Sequence, residues 1–280
     1  MDARHFLGIE PEGDDLHWRL PVTPSISTPG RFLFGGCGLA AGIVALEAAA
    51  QRPVVWATAQ YLAHAPIGSE LRFDVVLAAT GRRTTQARTT GRVGDDEVLT
   101  VNAALGQPDI RGDPGTSWVT APDVPPPLQC PRRERLPFPE ETVFQRVDQR
   151  LATGRLMAEL DGTPGPATSA SWLRVPGHLD PSAATLAVIG DYVTGGVSQA
   201  AGVPTFSRSL DNTIRVVRLV RSEWILSDIA IYGTVGGFAH GRAHLFAEDG
   251  TLMASASQSM SIRPWSGPQM ATLRSRRERV

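Results

Sequence analysis

The residue types that most often bind metals or act as nucleophiles are scattered in this sequence. It contains six histidines and two cysteines among 280 residues. His240 and His244 lie on a predicted strand, where residues four apart are separated by about 13 Å at ~3.3 Å per residue, too far to share one metal ion. Cys37 and Cys130 each lack a second cysteine at metal-ligand spacing. We therefore predict no metal site and two reduced thiols.

Several catalytic and nucleotide-binding motifs are excluded. The sequence has no Gly-x-Ser-x-Gly nucleophile elbow, which excludes an α/β-hydrolase serine mechanism. It has no lysine, so lysine Schiff-base chemistry is excluded as well. The glycines from Gly233 to Gly241 lack the lysine of a phosphate-binding loop, and we interpret them as a hairpin turn. We expect no cofactor.

Arginines are the groups most able to meet an anionic ligand. Arg82, Arg83, Arg88 and Arg242 are suited either to phosphate binding or to solvated sheet edges, and the sequence does not separate these alternatives. The net charge of −1 provides no global field for nucleic acid or an anionic membrane. The basic end, residues 266–280, fits a solvated tail better than an anion-binding segment.

Targeting and membrane-spanning segments are not predicted. The first residues lead into acidic sequence rather than into the apolar stretch of a secretory signal. No apolar run reaches the roughly 18 residues that span a bilayer. We expect a cytoplasmic protein.

A proline-rich segment divides the chain into two similar parts. Prolines are frequent over 107–142, and their missing N–H donors and fixed φ angles suit neither a helix nor a central strand. We interpret this segment as a surface linker between an N-terminal domain, 1–106, and a C-terminal domain, 143–265.

Each domain is predicted to contain a helix rich in small residues followed by four strands. The first helix is predicted over 35–50, and the second begins near Pro181, with Asp180 as its N-cap, and ends between 195 and 201. The predicted strands are 54–62, 71–79, 84–93 and 98–105 in the first domain, and 209–219, 224–231, 239–247 and 252–262 in the second.

The two domains also align at a fixed offset. Ser69-Glu70 and Leu99 each have an identical counterpart 153 residues later, at Ser222-Glu223 and Leu252. A constant offset across separate strands and turns indicates a duplicated domain. A helix followed by an antiparallel meander predicts an α+β fold in which the sheet wraps around the helix.

These features resemble the acyl-CoA thioesterase II family, whose members carry two fused hotdog domains. The resemblance covers about 30–106 and 180–263. It depends on Phe34-Gly35-Gly36 opening a helix, on Tyr61-Leu62 followed by Pro66, on the strand with Arg88, and on several segments of the second domain: Ser209-Leu210-Asp211-Asn212, Glu223-Trp224, Phe238-x-x-Gly241, Asp249-Gly250-x-Leu252 and Ala254-Ser255-Ala256-Ser257-Gln258. The implied fold is a double hotdog, two fused helix-wrapped antiparallel sheets.

The resemblance implies hydrolysis of an acyl-CoA thioester by an activated water. Carried over, the catalytic set is Asp191 on the second helix, Ser209 where the family has threonine, and Gln258 on the last strand. Asp191 would take the proton of the water, with Ser209 and Gln258 holding it. Gly35 and Gly36 are candidates for an oxyanion hole at a helix start, and Arg88 is a further candidate substrate-binding residue.

The duplication provides an internal comparison for this site. At an offset of 153, Asp191 corresponds to Gly38, Ser209 to Trp56 and Gln258 to Leu105. These first-domain positions are apolar or lack a side chain, which predicts one working site per chain.

Two other functions stay open at this point. A hotdog dehydratase or hydratase would use a histidine base, for which His178 just before the second helix is the candidate, and a non-catalytic acyl-thioester binding protein would need no base. Because fused hotdogs leave sheet edges and outer faces to cover, we also expect a homodimer or homotetramer.

Overall fold

The computed structural model describes residues 2–107, 115–133, 141–175 and 180–265. The basic tail, His178 and parts of the predicted linker lie outside these described residues. Within them, no helix is both long and apolar enough to cross a membrane.

The first domain contains one long helix and six strands. A short helix, α1, precedes the first two strands, and the long helix α2 follows a loop with a 3-10 turn at Pro24–Ile26. The elements are α1 (Ala3–Leu7), β1 (Glu10–Glu12), β2 (Asp14–Pro21), α2 (Gly35–Ala50), β3 (Val54–Tyr61), β4 (Glu70–Thr80), β5 (Thr84–Val93) and β6 (Asp96–Gly106).

The second domain repeats this order with its helix in two pieces. Short 3-10 turns occur at Pro127–Gln129, Met157–Glu159 and Asp191–Val193. The other elements are α3 (Val143–Arg146), β7 (Asp148–Thr153), β8 (Thr168–Arg174), α4 (Ala183–Gly190), α5 (Thr194–Ala201), β9 (Thr205–Ser209), β10 (Asp211–Val216), β11 (Ile225–Val235), β12 (Phe238–Ala247) and β13 (Leu252–Pro264).

Both domains share one antiparallel sheet, as a double hotdog requires. The strand order is β1-β2-β4-β5-β6-β3-β10-β13-β12-β11-β8-β7, and β9 pairs with the far end of β13. The domains meet at the β3–β10 ladder, so each domain contributes five strands of matching order around this central pair. The predicted fold class is therefore confirmed.

The sheet wraps around the helices because one side of each strand is apolar. In β5, Thr85, Ala87 and Thr89 are buried while Arg88 between them is exposed. Small helical residues let the backbone approach the sheet closely. A Cβ on Gly42 would lie 2.8 Å from Val101 Cγ2, too close for the present packing.

A second apolar cluster lies on the outer face of the second domain. Its buried members are Cys130, Ala170, Trp172, Trp224, Leu226, Phe246 and Leu252. Part of the proline-rich segment covers it, and the indole N–H of Trp172 donates to the Pro125 carbonyl at 3.0 Å. The described part of this segment thus packs on the surface, and Arg132 forms an antiparallel bridge with Arg150 of the edge strand β7.

The register of the central ladder locates the pseudo-twofold axis. Thr58 pairs with Thr213, 155 residues later, and their hydroxyls are 2.7 Å apart. Thr58 also pairs with Asn102, whereas Thr213 pairs with Ser257, so Ser257 corresponds to Asn102 and Gln258 to Ala103. The offset of 153 in the sequence alignment is therefore two residues short at these strands.

The structure also differs from the predicted elements in three places. The second helix begins with Ser182 as N-cap, whose side chain accepts from the Thr185 amide, and not with Asp180. It is interrupted at Asp191 by the 3-10 turn. The predicted strand 209–219 is shorter in the structure, Asp211–Val216, and Ser209 instead ends a separate strand, β9.

Two strands ahead of the main helix of each domain were missed by the sequence patterns: β1 and β2 in the first domain, and β7 and β8 in the second. Of these, β2 pairs with β4 and β8 pairs with β11. The first half of β2 is exposed, and nearly all of β8 is buried. Neither strand therefore shows a full apolar alternation.

Candidate active site

Asp191 occupies the break in the second helix. It is the C-cap of α4 and the first residue of the 3-10 turn that leads into α5. Its side chain is only 2% exposed. A carboxylate at this depth needs hydrogen-bond donors on every side, because burial without them is costly.

Three donors from three separate elements converge on this carboxylate. The Gly36 amide at the start of α2 donates to Oδ2 at 2.6 Å. The Ser209 hydroxyl donates to Oδ1 at 3.3 Å, and the Gln258 Nε2 donates to the same oxygen. The Gln258 amide also donates to Ser209 Oγ at 3.3 Å. Residues 18 and 67 positions apart from Asp191 in the chain thus form one cluster.

The sheet positions Ser209 and Gln258. Gln258 lies on β13 with its side chain on the concave face, between Ala256 and Met260 in the alternating buried pattern. Ser209 ends β9 and pairs with Met260. The separation of β9 from β10 at Leu210 is therefore what places the serine over Asp191.

Burial and hydrogen bonding act in opposite directions on the pKa of Asp191. Burial raises the pKa and dominates, while the bonds from the Gly36 amide, Gln258 and Ser209 lower it, giving a pKa of about 7. The positive end of the α2 helix also favours the carboxylate form. An aspartate with this pKa is suited to accept a proton near neutral pH.

The cluster forms one wall of a cavity of about 370 Å³. Asp191 and Ser209 line the cavity, while Gln258 lies behind the carboxylate. The remaining walls come from both domains and are largely apolar and aromatic; they include Phe32, Leu33, Phe34, Tyr61, His64, Val98, Leu99, Phe144, Phe206 and Trp265. The Phe32 and His64 rings are stacked with centroids 4.2 Å apart.

The predicted substrate-binding residues are found in different places. Gly35 lines the cavity, and the Gly36 amide is bound to Asp191. Arg88 is exposed on the outer face of β5, away from the cavity, because it alternates with the buried Ala87 and Thr89. The cation that does line the cavity is Arg208 of β9.

Two residues that line the cavity, one from β3 and one from α3, were not among the predicted site residues. Tyr61, on the concave face of β3, and Phe144 both line the cavity. The sequence contained a signal for the helix that carries Phe144, because Thr142 and Gln145 form the Thr-x-x-Gln pattern of a helix start. In the structure, the Gln145 side chain accepts from the Thr142 amide at 2.5 Å. Arg208 and Trp265 carry no local signal, because only the pairing of β9 with β13 brings them to the cavity.

No cluster of three or more metal-ligating side chains occurs among the described residues. The polar side chains at the cavity include the Asp191 carboxylate, the Ser209 hydroxyl, His64 and Arg208, set in a largely apolar wall. This arrangement can bind a water molecule beside an apolar ligand and remove its proton.

Comparison with known families gives two matches that together span most of the chain. Residues 22–106 match the acyl-CoA thioesterase N-terminal domain, and residues 122–262 match the acyl-CoA thioesterase C-terminal domain. No curated protein is significantly similar to the chain.

Solved structures share the whole architecture. A protein from Novosphingobium aromaticivorans solved as a candidate thioesterase is 29% identical, with a TM-score of 0.80 over 92% of this chain and 98% of that one. The tesB protein of Mycobacterium avium subspecies paratuberculosis is 19% identical, with a TM-score of 0.78 over 94% and 98%. The acyl-CoA thioesterase II TesB2 of Mycobacterium marinum is 20% identical, with a TM-score of 0.70 over 95% and 98%.

Proposed function

The chain belongs to the acyl-CoA thioesterase family and is a thioester hydrolase, and we propose that it hydrolyses acyl-CoA with a water activated by Asp191. The observation that carries this proposal is the buried Asp191 carboxylate, bound by three donors and facing an apolar cavity. The family match supports the reaction, and this geometry supports the proposed residues.

The proposed reaction begins with a water between Asp191 and the thioester carbonyl carbon. Asp191 accepts a proton from the water as its oxygen forms a bond to that carbon. Collapse of the tetrahedral intermediate breaks the carbon–sulfur bond, and the proton held by Asp191 passes to the departing CoA thiolate. The products are the free acid and CoA, and the carboxylate is regenerated.

Ser209 and Gln258 have different parts in this proposal. Ser209 lines the cavity beside Asp191, so its hydroxyl is placed to contact the water directly. Gln258 lies behind the carboxylate and is 3% exposed, so it acts as a positioning residue that fixes the direction of the Asp191 oxygens. Serine in place of the family's threonine keeps the hydroxyl but has fewer restrictions on its rotamer.

The cavity suits an acyl group of apolar or aromatic character. Phe34 and Phe144, which both line it, form an edge-to-face contact with ring centroids 5.4 Å apart. Burial lowers the pKa of His64, and the nearby exposed Arg208 lowers it further. We propose that Arg208, rather than Arg88, meets the CoA phosphates, since Arg88 lies on the opposite face of the sheet.

We also propose a cytosolic homodimer or homotetramer. Both cysteines are unpaired and buried, as suits a reducing compartment. The outer face of the first domain has exposed apolar side chains, including Val55 at 48% and Val76 at 44%. A monomer in sedimentation velocity at micromolar concentration would contradict the assembly.

The test of the reaction is steady-state hydrolysis of short, medium, long and aromatic acyl-CoA esters. Wild type is expected to hydrolyse at least one class. Asp191→Asn keeps the shape but removes the base, so kcat should fall by about 10²–10⁴-fold. Asp228→Asn is the matched control, because Asp228 binds Arg242 at 3.1 Å and does not line the cavity. A fully active Asp191→Asn variant would contradict the mechanism.

Failure of wild type on every acyl-CoA would favour the binding-protein alternative. Retained binding of CoA esters without turnover would then be the expected result. Hydration of an enoyl-CoA would instead favour a hydratase, for which His178 lies outside the described residues.

A further inference from the structure

Tyr61 has a hydroxyl that the mechanism above does not use. It is the last residue of β3, in the first domain, and its ring lines the cavity that contains Asp191. The hydroxyl is buried and has no hydrogen-bond partner in the part of the chain that the structure describes. A buried polar group without a partner is costly, which points to a partner that arrives with the ligand.

Gly35 leaves the space in front of this hydroxyl open. A Cβ on Gly35 would lie 3.1 Å from the Tyr61 hydroxyl and 2.9 Å from Asp191 Oδ2. The two oxygens therefore flank the same gap and are no further apart than the sum of these distances. Any side chain at position 35 would fill the gap, and glycine keeps it available.

The Gly35 amide borders this gap as well. Gly35 is the first residue of α2, so its N–H has no acceptor within the helix. The next amide, that of Gly36, is already bound to Asp191 and is not available to a ligand. The helix start thus binds the carboxylate through one amide, and the residue that carries the preceding amide lines the cavity.

We propose that the Tyr61 hydroxyl, together with the Gly35 amide, donates a hydrogen bond to the thioester carbonyl oxygen and stabilises its negative charge in the tetrahedral intermediate. This inference rests on the proposed hydrolysis. Tyr61 acts here as a catalytic residue from the domain that lacks the carboxylate. The water attacks from the Asp191 side, and the carbonyl oxygen points toward Tyr61.

The protonation of Tyr61 is consistent with a donor role. Burial raises the pKa of Tyr61 well above its usual value, and the nearby Asp191 raises it further. The phenol therefore stays protonated throughout the pH range in which Asp191 titrates. The neighbouring side-chain amide of Asn212, which is also buried, acts in the opposite direction and lowers the pKa of Tyr61, but by less than burial raises it.

The first experiment compares Tyr61→Phe with Tyr192→Phe. Tyr192 is a matched control, because its hydroxyl is also buried without a partner among the described residues but its side chain does not line the cavity. Loss of one oxyanion donor is expected to lower kcat by about 10²–10³-fold, with KM and melting temperature nearly unchanged. Tyr192→Phe should retain wild-type kcat. Equal kcat values for Tyr61→Phe and wild type would overturn the proposal.

The second experiment reads the carbonyl directly and does not require turnover. The infrared stretch of a ¹³C-labelled acyl-CoA carbonyl is measured when bound to Asp191→Asn, and again when bound to the variant that also carries Tyr61→Phe. The proposal predicts a lower frequency with Tyr61 present and a rise when its hydroxyl is removed. Identical frequencies in the two variants would overturn it.

These outcomes separate this inference from the hydrolysis itself. If wild type hydrolyses no acyl-CoA, the proposed function fails, while the carbonyl shift with bound ligand still decides the role of Tyr61. A fall in melting temperature for Tyr61→Phe with unchanged kcat would show that the hydroxyl serves a structural contact, such as one with Asn212, and would overturn the proposal.

Discussion

The two domains share one fold but differ at the positions of the proposed catalytic residues. By the ladder registers, Gln258 corresponds to Ala103, and Ser209, which pairs with Met260, corresponds to Val54, which pairs with Leu105. Packing against the sheet identifies the third counterpart. Gly190 lies against Ala256 as Gly42 lies against Val101, so Asp191 corresponds to Ile43.

The first-domain counterparts Ile43, Val54 and Ala103 are all buried and apolar. Their burial stabilises the fold and requires no hydrogen-bond partners. The second domain instead buries a carboxylate, a hydroxyl and an amide that must satisfy one another. The two domains therefore provide equivalent backbone positions, but only the second domain has polar side chains at all three of them.

The first domain nevertheless takes part in the site. Its α2 helix supplies the Gly36 amide to Asp191, and its β3 strand supplies Tyr61 to the cavity. The first domain therefore contributes groups to the cavity and to Asp191 even though it has no counterpart of the polar residues Asp191, Ser209 and Gln258.

The largest expected effect comes from placing a carboxylate in the first-domain frame. Ile43→Asp puts a charge at a fully buried position. In the second domain Ser209 and Gln258 donate to the carboxylate, but their first-domain counterparts, Val54 and Ala103, have no side-chain donor. We expect a loss of about 3–5 kcal/mol in the free energy of unfolding and no second active site. Urea denaturation followed by circular dichroism measures this loss. Wild-type stability would show that the two frames are less alike than their registers indicate.

A smaller effect is expected from the two residues that serve Asp191. Ser209→Ala and Gln258→Ala should each lower kcat by about 10–100-fold, less than Asp191→Asn. Since all three act on one carboxylate and one water, neither change should add to the loss already caused by Asp191→Asn. Steady-state kinetics of the single and double variants test this. Fully additive losses would place Ser209 or Gln258 outside the Asp191 unit.

The pH profile should report the Asp191 carboxylate. With a pKa of about 7, kcat/KM should fall about tenfold for each pH unit below that value, because the base becomes protonated. Acyl-CoA hydrolysis from pH 5 to 9 provides the profile. A rate that is flat down to pH 5 would contradict Asp191 as the base.

Stability supplies the control for this assignment. The folded-state pKa of Asp191 is raised above the unfolded value, so its contribution to stability is present at low pH and is lost as the pH rises toward 7. Asp191→Asn should therefore gain in melting temperature relative to wild type above pH 7, and this gain should shrink toward pH 4.

The smallest effect is expected at the mouth of the cavity. Arg208→Gln should raise KM for an acyl-CoA several-fold and leave kcat unchanged, because the proposed role of Arg208 is to bind the CoA phosphates and not the reacting atoms. The same acyl group on pantetheine, which lacks those phosphates, should show no change. Arg88→Gln is the matched control on the opposite face of the sheet. An equal rise in KM for this variant would indicate that Arg88 also binds the substrate.

Much of this protein could be predicted from sequence patterns. The bounds of α2 and β5, the duplicated α+β architecture and the polar identity of the Asp191, Ser209 and Gln258 set all follow from local periodicity, small-residue composition and family resemblance. These features depend on which residues are apolar and on their spacing along one element, and both can be read directly from the amino-acid sequence.

The tertiary structure decided how the elements register and which groups meet. The counterparts of Ser209 and Gln258 could be identified only from the ladder registers, which give an offset of 155 residues between the domains instead of 153. The second helix likewise begins with Ser182 as its N-cap, and not with the predicted Asp180. Arg88 lies on the outer face of the sheet because side chains alternate along its strand. Arg208 and Tyr61 line the cavity because of how their strands pair with neighbouring strands. Pairing registers and helix–sheet contacts join residues far apart in the chain, and local patterns carry no information about such distances.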